Sequence, residues 1–240
     1  MNLILFTSEE TQRPLPLTDA RAQHIVDVLR RDIGDAFDVG LVNGPRGKAT
    51  LLARDAATLT LSFVWGEAPP PPDPITLLLG LPRPQTARDI LRDATTLGVT
   101  ALHFVLSEKT EPNYAQSTLW RDDEWRRHVI AGAQQAFATQ IPTVVCGEPL
   151  DRTLAALPQD AIRLALDNYE AGTPLAAQLP TSSHTPLVLA LGPERGWGPR
   201  DRVALRAHGF MLAHLGTRVL RLETAVVSAL ALAKSARGAW

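Results

Sequence analysis

Cysteine and lysine are both scarce in this chain, and each scarcity excludes something. Cys146 is the only cysteine, so no intramolecular disulfide and no cysteine-based metal site can form within the chain. Lysine occurs only at Lys48, Lys109 and Lys234, and the remaining basic residues are arginines. Arginine suits bidentate phosphate contacts, but the base composition of a genome produces the same bias. Neither sign of charge predominates. The formal net charge is -1, so no global positive field advertises a nucleic-acid partner and such binding has to rest on local patches. No apolar run reaches transmembrane length, and no membrane partner is expected. The opening MNLILFTSEE has a short apolar run followed by acids and no basic segment before it. It does not read as a signal peptide, and the cytoplasm is the expected compartment. His103, His128, His184, His208 and His214 show no metal-ligand spacing and read as structural or surface residues, and His24 as packing or capping. No metal is expected.

What is present is a globular composition, 45% hydrophobic and 20% charged over 240 residues. Such a chain buries one sizeable core or divides into a small and a larger domain. EAPPPPDP at 67–74 marks the division, because four consecutive prolines exclude a helix or sheet interior and favour a stiff spacer. The expected domains are residues 1–70 and 74–240.

Before the prolines the pattern is mostly β. LILF (3–6), AFDVGLV (36–42), GKATLLAR (47–54) and TLTLSFVW (58–65) read as strands, with a hairpin turn at Asn43-Gly44. DARAQHIVDVLR (19–30) places Ile25, Val28 and Leu29 on one helical face, with Thr18 as N-cap. Several short strands and one helix suggest a small β-barrel. After the prolines, apolar strands alternate with helices. The strands are ITLLLGL (75–81), VTALHFVL (99–106), PTVVCG (142–147), AIRLALD (161–167), TPLVLALG (185–192) and FMLAHLG (210–216). The helices are TARDILRDATTLG (86–98), a long one from about Leu119 to Phe137, PRDRVALRAHG (199–209) and ETAVVSALALAKSAR (223–237). This is the signature of an α/β domain with a mostly parallel sheet covered on both faces.

Ligands in such sheets sit beyond the carboxyl ends of the strands. The loops that gather there are Asp167-Asn168-Tyr169-Glu170, GPERGWG (192–198) and HLGTRVLRLETA (214–225). The second ends an apolar run in prolines and glycines around a charged pair. That is a strand-to-helix turn, or a backbone-lined pocket for a flat ligand. In the third, Arg218 and Arg221 flank Val219-Leu220, and Glu223 opens the last helix, where an acid favours the helix dipole with or without a further role.

LGPERGWGPRDRVAL with GFMLAHLGTRVLRLETAVVSAL resembles the C-terminal signature of the SPOUT methyltransferases, and more closely the RsmE family, which methylates N3 of a uridine in 16S ribosomal RNA. The resemblance covers the whole chain. HIVDVLRRDIGDAFDV is similar to the family's N-terminal PUA-like segment, and ARDILRDATTLGVTALHFVLSEKTE to the first helix and strand of its methyltransferase domain. The resemblance implies a PUA-like β-barrel that grips RNA and an α/β SPOUT domain tied in a deep trefoil knot. It further implies S-adenosylmethionine as cofactor, a homodimer, and 16S ribosomal RNA or the small ribosomal subunit as partner. The residues it assigns to the cofactor are Leu166, Leu191, Gly192, Pro193, Gly196, Leu215, Gly216, Val219, Leu220, Leu222 and Thr224. Arg221, with Arg218 second, is expected to stabilise a developing uridinate. Arg30, Arg195 and Arg200 are candidates for RNA contact, and residues 192–223 hold a local surplus of arginine over acids. Trp197 covers the ligand or packs.

The chain departs from the family at several points. Arg195 stands where the family has the first glycine of a Gly-Gly pair. Ala138-Thr139-Gln140 lacks an arginine that the family often has before Ile-Pro, and Ser107-Glu108-Lys109 replaces Ser-Glu-Arg. These departures leave open a second reading, a non-catalytic RNA-binding or assembly protein on the same scaffold, and a third, a SPOUT enzyme with another RNA target.

Overall fold

The computed structural model describes residues 3–181 and 185–238, so His184 lies outside the described residues. The chain forms two compact units, Met1–Pro71 with Ala133–Ile141, and Pro72–Gly132 with Pro142–Trp240.

The first unit contains β1 (Ile4–Phe6), β2 (Leu15–Pro16), α1 (Ala20–Gln23), β3 (Ala36–Leu41), β4 (Arg46–Arg54) and β5 (Thr58–Trp65). They form a five-stranded sheet in the order β1-β3-β4-β5-β2, curled as a half-barrel around Phe6, Phe37, Val39, Leu51 and Leu59. The expected hairpin forms, with Asn43 at φ 57°. It also holds a distant segment: the Asn43 N–H donates to the Thr139 carbonyl at 2.8 Å, and the Thr139 hydroxyl to the Gly44 carbonyl at 2.6 Å. Thr139, where the family often has arginine nearby, is thus a buried clasp residue of this unit.

The helix expected at 19–30 is shorter and differently capped. Asp19, not Thr18, caps it, accepting from the Arg21 N–H at 2.8 Å. Asp19 is preferred because Arg21 also binds its carboxylate at 2.7 Å and that of Glu10 at 2.7 Å. After Gln23 the turn widens to a π-helix over His24–Val28. The wider turn changes the helical phase, so Ile25 is buried while Val28 is exposed rather than sharing its face.

Past the prolines follow β6 (Ile75–Gly80), α2 (Pro84–Thr96), β7 (Ala101–Leu106), α3 (Thr118–Arg121) and α4 (Trp125–Gln135). Then come β8 (Thr143–Pro149), α5 (Leu150–Ala156), β9 (Ile162–Leu166), β10 (Leu187–Leu191), α6 (Pro199–Ala207), β11 (Met211–Ala213) and α7 (Leu222–Ala236). The second unit's sheet is all parallel, in the order β11-β9-β10-β6-β7-β8. Strand periodicity sends alternate residues to opposite faces. Leu77, Leu79 and Leu189 pack with Ile90 and Leu91 of α2 and Val226 and Leu230 of α7. Leu78, Val188 and Ala190 pack with Leu154 of α5 and Leu205 of α6. The long helix expected from Leu119 to Phe137 is instead two, α3 and α4, broken where Asp123 takes φ 55° and ended before Phe137 at φ 55°.

At that break Glu124 ties α4 to α2. Its carboxylate accepts from Arg88 Nε at 3.0 Å and Arg88 Nη2 at 3.3 Å, and Arg127 is a further partner. Hydrogen bonding from Arg88 is the main reason that its carboxyl is held down at about 2. A carboxyl lowered on folding stabilises the fold above its ordinary value of 4.5, and that contribution is lost as pH falls towards about 2. The denaturation midpoint of the natural chain should therefore exceed that of Glu124→Gln at pH 7, and the gap should close through this range. A gap independent of pH would contradict the assignment.

Candidate functional site

From β6 the chain builds the sheet outwards through β7 and β8, then returns to place β10, β9 and β11 on the other side of β6. The direction of building reverses between β6 and β10, and such reversals open a crevice at the carboxyl ends of the strands. The loops after β9, β10 and β11 meet at this crevice and enclose a cavity of about 550 Å³, within the range of small-molecule sites.

The loop after β10 is built around space that a side chain would fill. A Cβ on Gly192 would lie 2.7 Å from both the Gly196 carbonyl carbon and the Trp197 nitrogen. A Cβ on Gly80, at the end of β6, would lie 2.3 Å from Pro193 Cδ. The Gly196 N–H donates to the Pro193 carbonyl at 2.7 Å, closing a turn, and Gly196 takes φ +67°. Arg195 is not among the residues with positive φ. The left-handed conformation therefore falls on the second glycine of the family pair, and arginine fits the first position without backbone strain. Trp197 is fully buried and packs beneath the turn with Leu78 and Leu205, while also bordering the cavity.

Side chains distant in sequence hold this turn. The buried Asp201 carboxylate accepts the Gly198 N–H at 2.8 Å and the Glu108 N–H at 3.0 Å. Glu108 in turn accepts the Arg200 N–H at 2.9 Å at the start of α6, and Lys109 Nζ donates to the Arg195 carbonyl at 3.2 Å. The Ser107-Glu108-Lys109 run after β7 thus braces the cavity wall. In the loop after β9, Asp167 Oδ1 accepts the N–H groups of Tyr169 at 2.8 Å and Glu170 at 2.7 Å. Its Oδ2 binds Arg202 Nε at 2.7 Å, and both side chains are buried.

The third loop supplies charge. Arg218 and Arg221 are exposed on the cavity rim, and neither has an ion pair or side-chain hydrogen bond among the described residues. Arg221 is also the N-cap of α7, in extended conformation, so the first turn of that helix, with Leu222 and Glu223, borders the cavity. Gly216 takes φ +105° and its N–H donates to His214 Nδ1 at 3.0 Å, shaping the loop.

The cavity brings together Leu166, Leu191, Gly192, Pro193, Gly196, Leu215, Val219, Leu220 and Leu222 with Arg195, Arg218 and Arg221. Gly216 and Thr224 are not among its lining residues. Arg200 lies beside it with its side chain 90% exposed, and Arg30, at φ +51°, belongs to the first unit. Arg83 and Thr86 also line the cavity, at the start of α2. Their signal was positional: they follow the carboxyl end of a parallel strand. Among the described residues, no group of three or more His, Cys, Asp or Glu could hold a metal ion, and no helix is long and apolar enough to cross a membrane.

Residues 69–234, which hold the parallel sheet and the cavity at its reversal point, match the family described as an RNA methyltransferase domain. The whole chain is 32% identical over 253 residues to the ribosomal RNA small subunit methyltransferase E of Treponema pallidum, covering 93% of that protein. It is 27% identical to the ribosomal RNA small subunit methyltransferase E 1 of Borreliella burgdorferi, over 95% of each chain. Its fold is similar to that of a ribosomal RNA small subunit methyltransferase E from Neisseria gonorrhoeae bound to S-adenosyl methionine, with a TM-score of 0.80, 23% identity and 97% of each chain covered. The chain belongs to the ribosomal RNA small subunit methyltransferase E family.

The buried Asp167–Arg202 pair predicts a stability effect. Arg202→Met leaves the carboxylate buried without its cation, which should cost about 3–5 kcal/mol. Urea denaturation reads this directly, and a loss below about 1 kcal/mol would show that the pair does not hold the loop.

Proposed function

We propose that the protein transfers a methyl group from S-adenosylmethionine to N3 of a uridine in 16S ribosomal RNA. One observation carries this reading: a single cavity combines a tight glycine turn with two arginines that have no ion pair or side-chain hydrogen bond among the described residues. The residues present fit the cofactor. Gly192 and Gly196 form the tight turn on one side, Leu166, Leu191, Leu215 and Leu220 supply apolar walls, and the volume suits a ligand of that size. When bound, S-adenosylmethionine supplies an electrophilic methyl group on a sulfonium.

The chain's own residues deal with the acceptor. N3 of neutral uridine carries a proton, which must leave before or during bond formation, and negative charge then spreads over the flanking carbonyls. Arg221, with Arg218 beside it, stabilises that charge as an oxyanion hole does. Among the described residues, neither guanidinium has an ion pair to give up in doing so. Holding donor and acceptor in line is the protein's other contribution.

Arg195 at the cavity, Arg200 at the start of α6 and Arg30 in the first unit are the residues of this reading that contact RNA phosphates. The trefoil knot, a homodimer and a cytoplasmic setting among ribosomal subunits belong to the same reading. Val227 and Leu232 of α7 are partly exposed apolar residues of the kind an interface covers. The departure at Arg195 supports the non-catalytic alternative only if it distorts the turn. The unstrained turn at that position favours the enzyme.

Arg221→Ala should lower methyl transfer to unmodified 16S ribosomal RNA by about 100-fold or more, the scale of losing one oxyanion-hole donor. Donor binding by calorimetry should remain measurable. Normal turnover by this variant would remove Arg221 from the mechanism.

A further inference from the structure

Tyr169 has no part in the chemistry described so far, yet its placement is specific. It borders the cavity and is 77% exposed, an unusual degree of exposure for an aromatic ring. Exposure here does not mean freedom. Its backbone is fixed by Asp167, as described above. Its ring centroid lies 5.3 Å from the Arg202 guanidinium carbon, and Arg202 is itself locked by Asp167. The Lys109 ammonium is 5.9 Å from the same centroid and is anchored on the Arg195 carbonyl. A Cβ on Gly196 would lie 3.7 Å from the ring edge, so the ring reaches the glycine turn. Two fixed cations and a fixed backbone hold one hydrophobic ring at the cavity mouth, most of its surface towards water.

We propose that Tyr169 is the stacking platform for the base to be methylated. A base modified on its ring edge must leave its own stack and find another. Unstacked RNA bases are held on aromatic side chains, which accept any base by its π-face. The position of the ring separates this role from reading the donor. A donor within the cavity meets the backbone of the glycine turn, whereas the exposed ring stands at the rim, where a group arriving from solvent meets it first. Arg195, Arg218 and Arg221 line the same cavity, so the stacked base would bring its carbonyls and flanking phosphates among cations.

This inference rests on the methyl-transfer reading, and its test keeps the two apart. Steady-state methylation of unmodified 16S ribosomal RNA would be measured for the natural chain, Tyr169→Phe and Tyr169→Ala, with calorimetric titration of S-adenosylmethionine alongside. Tyr169→Ala should lower kcat/KM for RNA by about ten-fold or more, the scale of losing one base–aromatic stack. Donor affinity should stay unchanged, and Tyr169→Phe should restore the natural rate because the ring is kept. An active Tyr169→Ala would overturn the proposal, as would a Tyr169→Phe as damaged as Tyr169→Ala. So would a loss of donor affinity with the RNA dependence intact, which would assign the ring to the donor. If the natural chain itself neither binds donor nor methylates, the underlying reading fails and this proposal with it.

Discussion

Gly192 has no room for a side chain, and the site follows from that constraint. The chain leaves the central strand β10 and folds back so closely that its own backbone at Gly196 and Trp197 lies where a Cβ would be. Gly80 imposes the same condition from the neighbouring strand, where Pro193 occupies the space. The result is a tight turn at the reversal point of a parallel sheet, the place where such sheets bind ligands. The buried carboxylates act on this constraint. Asp201 fixes the end of the turn against the loop after β7, and Asp167 fixes the adjoining loop through Arg202.

The arginines around the second unit's sheet differ in their partners. Arg202 and Arg88 are paired and hold loops and helices in place. Arg218 and Arg221 line the cavity with no ion pair or side-chain hydrogen bond among the described residues. An unpaired guanidinium at a cavity rim keeps its full capacity for an anionic ligand, whereas one already bridged would first have to lose a bond. With a net charge of -1 there is no global positive field, so an anionic ligand is met by local arginines such as these.

Much of this was legible in the sequence, for physical reasons. Strong period-two alternation at 58–65 and continuous apolar runs at 75–81 and 185–192 fixed the strands, because burial on one or two faces leaves that pattern. The positions LG-x-R and R-x-E-T pointed to the third loop. What was not legible depends on geometry that periodicity does not carry. The break between α3 and α4 is one aspartate in a left-handed conformation, and the π turn after Gln23 is a change of phase within an unbroken helical run. α5 and the short β2 left no clear pattern. The ties that hold the site join Asp201 to Glu108 and Asp167 to Arg202, pairs 93 and 35 residues apart, and single-sequence reading cannot see them. Arg195 was legible as a departure but not as a harmless one, because only the backbone reveals which glycine of the pair carries the positive φ.

The most direct test is calorimetric titration of the full chain with S-adenosylmethionine, with Gly192→Val measured alongside. If the backbone turn is the donor site, the natural chain binds saturably, with about one ligand per chain or per dimer. Gly192→Val, whose side chain would have to occupy the space held by Gly196 and Trp197, should then bind none. Absence of binding at millimolar donor by a folded natural chain would contradict the account, as would undiminished binding by the valine variant.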